Sequence, residues 1–366
     1  LKQHQVSLPP RCSILIPGAM GGCMGLGQKP RQACEMFARS RAGRAAADEV
    51  PRHRPIKMLS WNIQFCAGRE HLFFYEGGDA VMVPIEDVQQ TMQVVADIIA
   101  DNAPDIVLLQ EVDRHSARTH YQDELYGILD LLDQAGHFYP HVTSTPYHRV
   151  CYVPMPAHQP LGRVDLNLVA LSKFRITASW RHQLPLLNES WLRQAFNLKR
   201  AIMEVEMPIA GGGIFVALNT HLSAFAFNDG TPEKEIASLA KQARRLEEKA
   251  APWVLGGDLN MLPPGDDPGR LGVINNEDHS CLYNADESPV TPLTQAFRPA
   301  MDLQAHARDP GPLRTYLPLG TDIADRVLDW MFVGTRTQLL KYSVLSRHRH
   351  VSIASDHLPL LLEFQV

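Results

Sequence analysis

The chain predicts an α/β protein of mixed sheets flanked by helices, on three observations. Short apolar runs alternate with helix-period segments early in the chain, two runs meet through a glycine turn in its middle, and two more close it. No segment repeats internally.

Taken in order, residues 56–63 form the first apolar strand. Residues 88–100 repeat apolar side chains at helical spacing until Asn102-Ala103-Pro104 stops them. Residues 105–110 are an apolar strand running into Glu111, and 166–171 read as another. Residues 201–207 and 214–220 pair through Gly211-Gly212-Gly213 as a hairpin. Residues 233–250 are an amphipathic helix, with strand 253–256 behind it, and 327–333 and 358–364 complete the domain. Residues 146–163, with Tyr147, His148, Arg149, Tyr152, Val153, Pro154, Met155 and Pro156, read as a proline-stiffened loop.

Residues 1–55 lack a sustained period and are rich in Gly, Pro and Arg, so they read as a disordered or artefactual leader, and 56–366 as one domain. The apolar piece 13–20 is broken by Pro17 and Gly18, which is weak for a signal peptide. Gly-Gly-Cys23 loosely resembles a lipoprotein cleavage site, and an Arg-rich leader also suits organelle targeting. The plainest reading is a start upstream of the real one.

The chain has 366 residues, 45% hydrophobic and 20% charged, the balance of a globular protein with a large core. No run approaches the roughly 20 apolar residues that cross a bilayer. Residues 1–47 hold seven basic residues against Glu35, a net +6, so the remainder of the −5 chain is −11. An acidic domain gathers no bulk counterion-release energy from a polyanion, which disfavours non-specific nucleic-acid binding. Six cysteines without CxxC or metal spacing read as thiols of a protein independent of disulfides. A cytoplasmic monomer is the favoured setting, a secreted or lipid-anchored one the alternative.

Five polar clusters sit at or just after the ends of apolar strands: Trp61-Asn62, Gln110-Glu111, Asn219-Thr220-His221, Gly257-Asp258-Leu259-Asn260 and Ser355-Asp356-His357. Strand ends hold side chains rigidly while leaving them reachable. Asp258 and Asn260, two apart, share one side in extended geometry.

With LSWNIQ, IVLLQEVD, VALNTHLSAF, WVLGGDLN, RVLDWMFV and SDHLPLLLEF in that order, the chain resembles the endonuclease/exonuclease/phosphatase superfamily from about Lys57 to Phe364. The resemblance implies an α+β four-layered sandwich, two mixed sheets face to face and flanked by helices. It also implies a metal-dependent phosphoric ester hydrolase using Mg²⁺, with Mn²⁺ an alternative.

On that resemblance Glu111 is the central metal ligand, Asn62 supplies an amide oxygen and Asp356 closes the site. Asp258 orients and deprotonates the attacking water, while Asn260 holds phosphate or metal. His357, kept oriented and protonated by Asp329, donates to a phosphoryl oxygen. His221 is the second phosphate-facing histidine, and Arg200 a basic residue beside the phosphate. DNase-like members pair a second histidine with an acid, which falls near Asp165, with Asn167 an equal candidate.

The catalytic centre says little about the ester. Relatives acting on inositol phosphates usually carry Cys-Asp-Arg where this chain has Leu328-Asp329-Trp330. The 146–163 loop and the acidic domain favour a small or lipid-linked phosphodiester, as in sphingomyelinase-like relatives, met at a lipid surface. A DNA or RNA nuclease is the alternative, and a non-catalytic scaffold on the same fold the reading from another class. Trp61, Trp330 and the basic run Lys241, Arg244 and Arg245 read as structural.

Overall fold

The computed structural model describes residues 31–40, 49–224, 229–271, 273–274, 277–278, 282–283, 287–348 and 350–366. In chain order come β1 (Arg31–Ala33), β2 (Glu35–Ala38), β3 (Ile56–Asn62), α1 (Ile85–Asn102), β4 (Ile106–Asp113), α2 (Glu124–Gln134), β5 (His141–Val153), β6 (Gly162–Ser172) and β7 (Ala178–Gln183). Next are α3 (Trp191–Phe196), β8 (Ala201–Pro208), β9 (Ile214–His221), α4 (Thr231–Glu248), β10 (Trp253–Asp258), β11 (Val273–Ile274), β12 (Glu277–Asp278), α5 (Thr291–Ala296) and β13 (Arg298–Pro299). α6 (Leu303–Arg308), β14 (Asp329–Val333), β15 (Gln338–Val344), α7 (Val351–Ala354) and β16 (Leu360–Gln365) finish the fold.

Two seven-stranded mixed sheets result, ordered β1-β7-β8-β9-β10-β14-β13 and β15-β16-β3-β4-β6-β5-β2, beside the small β11-β12 pair. The α1 stripe Val88, Met92, Val95, Ile98 and Ile99 packs into the core of the second sheet, and the α4 stripe Ile236, Leu239, Ala240, Ala243 and Leu246 into a core on the first. The layers are therefore helix, sheet, sheet and helix.

Two parallel pairs position the site. β3 runs parallel to β4, with Asn62 opposite Gln110, and β9 parallel to β10, with His221 opposite Asp258. All four thus end in polar residues at carboxyl ends of their strands. Across the sheets the buried Gln110 Nε2 donates to Asn219 Oδ1 at 2.7 Å, and Asn219 Nδ2 to the carbonyls of Leu109 and Val169 at 3.0 and 2.9 Å. Close approach needs glycine: a Cβ on Gly256 would lie 3.0 Å from Ser60 Oγ and 3.2 Å from Leu108 Cδ1.

Two expectations are corrected. Part of the stretch assigned to a leader is sheet, because β1 pairs with β7 and β2 with β5, so one short strap caps an edge of each sheet. Residues 146–163 are mostly ribbon, since β5 continues to Val153 and β6 starts at Gly162. Pro146 is accommodated because the pairing shifts register between Pro146 and His148, where the ladder does not use its missing N–H. The other expected strands stand, 105–110, 166–171, 201–207, 214–220 and 253–256 lengthened by one to five residues, while 56–63 loses its last residue and 327–333 and 358–364 each start two residues later.

Cys34 and Cys66 are buried thiols. Cys12, Cys23 and Cys281, like Gly-Gly-Cys23 and the 13–20 piece, lie outside the described residues.

Candidate active site

The cleft forms where β3, β4, β9 and β10 end and the loop 355–357 crosses them. That loop is bolted down: the Trp61 indole donates to the His357 carbonyl at 2.7 Å, Ser355 Oγ to the Asn62 carbonyl at 2.8 Å, and the His357 N–H to Ser355 Oγ at 3.0 Å. The Asp356 N–H meets Gln64 Oε1 at 3.3 Å. Trp61 is core, as expected, but its indole N–H also holds the far end of the chain against the site.

Asn62 bridges two carboxylates, with Nδ2 3.2 Å from Glu111 Oε1 and 3.1 Å from Asp258 Oδ2, while its Oδ1 accepts the Gln64 N–H at 3.0 Å. Glu111 adopts a left-handed φ of 57° where the β4–β6 register shifts between Leu109 and Val112, a bulge that re-aims its carboxylate. Asn260, with φ 53°, turns the chain after β10 so that its own N–H donates to Asp258 Oδ1 at 2.9 Å.

Asp258, His357 and Asp329 form a buried line. His357 Nδ1 lies 2.7 Å from Asp329 Oδ2, and Nε2 3.6 Å from Asp258 Oδ2. The Asp329 backbone is fixed by its N–H donating to Thr315 Oγ1 at 3.1 Å, and the Tyr316 ring stands edge-on to His357. Burial alone pushes His357 down, but Asp329, Asp258 and Asp356 outweigh it and hold the imidazole well above its ordinary range, as a cation. Burial pushes Asp258 up to about 7, against the pull of His357.

His221 faces the same space. Its Nε2 is 3.3 Å from Asp258 Oδ2 and 3.2 Å from Asn260 Nδ2, and its Nδ1 is 3.2 Å from the Tyr147 hydroxyl and 3.6 Å from Glu111 Oε1. Burial first, then Arg200 and His357, push His221 well below its usual value, so it is neutral. The two histidines therefore differ: one cationic beside an acid, one neutral beside a phenol.

Arg200 Nη1 approaches the His221 carbonyl at 3.4 Å, and its guanidinium lies 5.6 Å from the Tyr147 ring centre. The structure thus brings the nine site residues expected from the sequence together, with Asp329 behind His357 and Arg200 behind His221. Asp165 does not reach His221: it pairs with Arg149 at 2.9 Å and Arg163 at 3.4 Å, and accepts from Asn167 Nδ2 at 3.0 Å. The Tyr147 hydroxyl meets His221 Nδ1 instead. Sequence reasoning also passes over Arg118, buried against Phe65 and paired with Asp113 at 2.7 Å, whose charge acts on Glu111. Its only signal was a basic residue five positions after an apolar strand.

Two acid sets could receive a cation. Asp258, Asp329 and His357 have ligand atoms within 4.8 Å of one another. A protonated imidazole has no lone pair to offer, so that set suits proton handling. Glu111 and Asp356 suit a hard divalent ion, being oxygen donors held close: burial and the Asp356 charge raise Glu111, and burial and Asp329 raise Asp356. Asn62 joins them through its oxygen only if its amide turns over, because the oxygen now accepts from Gln64.

No curated protein matches the sequence. Among solved structures the fold is similar to an endonuclease/exonuclease/phosphatase from Beutenbergia cavernae, at 18% identity over 86% of this chain and 72% of that one, with TM-score 0.53. It is also similar to a family protein from Leptotrichia buccalis, at 14% identity over 85% and 100%, with TM-score 0.54. The human Nocturnin catalytic domain with bound sulfate aligns at 16% identity over 90% and 96%, with TM-score 0.52. The model of the Endonuclease/Exonuclease/phosphatase family matches residues 59–357, so the chain belongs to that family of metal-dependent phosphoric ester hydrolases.

Proposed function

We propose that this chain hydrolyses phosphodiesters that carry an apolar or lipid group, with Mg²⁺ at Glu111, Asp356 and Asn62, and Mn²⁺ able to replace it. Asp258 accepts the proton of the attacking water, with its carboxylate fixed by the Asn260 N–H. His357, cationic through Asp329, donates to a non-bridging oxygen as charge builds there. His221, Asn260 and Arg200 hold the phosphoryl group from the opposite wall. When bound, the metal supplies Lewis-acid stabilisation of the phosphoryl oxygens and leaving group.

The observation that carries the substrate class is how the arginines are used. Arg69 is spent on the carbonyls of Ser352, Pro318 and Thr321, Arg118 on Asp113, and Arg149 and Arg163 on Asp165. Among the described residues, these paired cations make no track for a polyanion. The exposed apolar side chains on this part of the molecule include Tyr152 at 54% near the end of β5, Met155 at 58% in the connection to β6, and Trp191 at 71% on α3, which is tied to β5 by His148 Nε2 contacting the Phe196 carbonyl at 2.9 Å.

The test compares sphingomyelin in phosphatidylcholine vesicles with plasmid DNA and RNA, in Mg²⁺. Faster turnover of the vesicle substrate, with Trp191→Ala raising its KM and sparing a soluble diester, supports the reading. Faster cleavage of DNA or RNA makes the chain a nuclease and overturns it.

A further inference from the structure

We infer that Tyr147 is a positioning residue for the reaction: its hydroxyl donates to His221 Nδ1 and thereby fixes the imidazole as the tautomer whose Nε2–H points at Asp258 and the reacting phosphate. This rests on the phosphodiesterase reading of the site.

Hydrogen-bond accounting decides the tautomer. Tyr147 is buried at 1% exposure, and among the described residues its hydroxyl has one partner, His221 Nδ1 at 3.2 Å. If Nδ1 carried the proton, the phenol hydrogen would be buried without an acceptor, and the Nε2 lone pair would face the Asp258 carboxylate oxygen at 3.3 Å. If Nδ1 carries the lone pair, both conflicts vanish. The phenol donates to Nδ1 and Nε2–H points at Asp258 Oδ2. Two longer contacts weigh the other way, Asn260 Nδ2 facing Nε2–H at 3.2 Å and Glu111 Oε1 facing Nδ1 at 3.6 Å, but the amide keeps its own acceptor in the Leu222 carbonyl at 3.1 Å, so they cost less than a buried phenol without an acceptor.

The rest of the fold holds the phenol in place. The Lys199 N–H donates to the Tyr147 carbonyl at 2.6 Å. The buried Arg181 guanidinium donates to the carbonyl of Pro146 through Nε at 3.1 Å and to that of Lys199 through Nη2 at 2.6 Å. One side chain thus clamps the residues that precede Tyr147 and Arg200, the two groups that flank His221.

The experiment reads the tautomer directly. ¹⁵N-histidine-labelled protein, wild type, Tyr147→Phe and His221→Asn for assignment, is examined by long-range ¹H–¹⁵N correlation, and kcat and KM are measured on bis-p-nitrophenyl phosphate. We expect the wild type to show an acceptor-type Nδ1 and a protonated Nε2 at His221. Tyr147→Phe should show both tautomers, with kcat down about tenfold and KM within about twofold. A wild-type Nδ1–H tautomer, or a Tyr147→Phe variant with His221 signals and kcat unchanged, overturns the inference. The spectrum answers even if the diester is not turned over, so its failure is distinct from failure of the functional reading.

Discussion

Asp258 is touched by Asn62, the Asn260 N–H and His221, with His357 slightly farther off, so its carboxylate is held in one orientation and buried. Asp258→Asn keeps the volume and removes the proton acceptor. Turnover should fall by about three orders of magnitude or more with circular dichroism unchanged, and near wild-type turnover would sink the assignment. Asp329→Asn leaves His357 in place without the charge that keeps it cationic, and should cost about a hundredfold in kcat with little change in KM. At this scale the sequence was most legible, because Asn62, Glu111, His221 and Asp258 stand in the last residues of apolar strands and the order of the clusters is specific. Tyr147 was hidden because its neighbours Pro146 and Pro154 suggested a loop, whereas register slips let prolines sit within or beside the ribbon. Asp165 misled because the residue has the right chemistry and the wrong neighbours.

Among elements, β10 is the strand on which the site depends most. A Cβ on Gly257 would fall 2.0 Å from the Thr220 carbonyl oxygen, so Gly257→Ala must push β10 off β9 and move Asp258 from His221. We expect a loss of more than about 2 kcal/mol in unfolding free energy, by urea titration, together with lost activity. On the same sheet Glu204 of β8 clips α4 and β7, meeting Arg245 at 2.6 Å and His182 at 2.7 Å. Burial would raise this carboxyl, but those two partners outweigh it and depress it to about 2. A depressed acid stabilises the fold above its unfolded value near 4.5 and loses that contribution as pH falls toward 2. Glu204→Gln should therefore cost on the order of 2 kcal/mol at pH 7. The gap in Tm to wild type should close as pH falls from 5 towards 2, and a gap independent of pH would exclude the ion pairs as its source. Long apolar strands were readable for the same reason that they matter: burial on both faces writes a continuous run. β15 was not, because it is an edge strand with mostly exposed and half-buried side chains, and β7 carries Arg181 and His182 where a strand pattern expects apolar residues.

For the molecule as a whole, the strap of β1 and β2 joins two sheets that are otherwise held together by core packing and polar links such as Gln110–Asn219. Glu35 meets Arg114 at 2.8 Å, and its carbonyl accepts from Thr143 at 2.9 Å. Protein starting at Lys57 would bare the edges of β5 and β7, and should melt lower and aggregate more than protein starting ahead of Arg31, by differential scanning fluorimetry and light scattering. A leader was the natural reading of residues 1–55 because Gly, Pro and Arg conceal two strands of three and four residues. The measurement that bears most directly on the whole account is hydrolysis of bis-p-nitrophenyl phosphate by protein that retains the strap, with Mg²⁺ or with EDTA, alongside Glu111→Ala. The account predicts turnover that vanishes with chelator, returns with added Mg²⁺, and is lost in the variant. Turnover that survives EDTA, or that Glu111→Ala leaves intact, would contradict it.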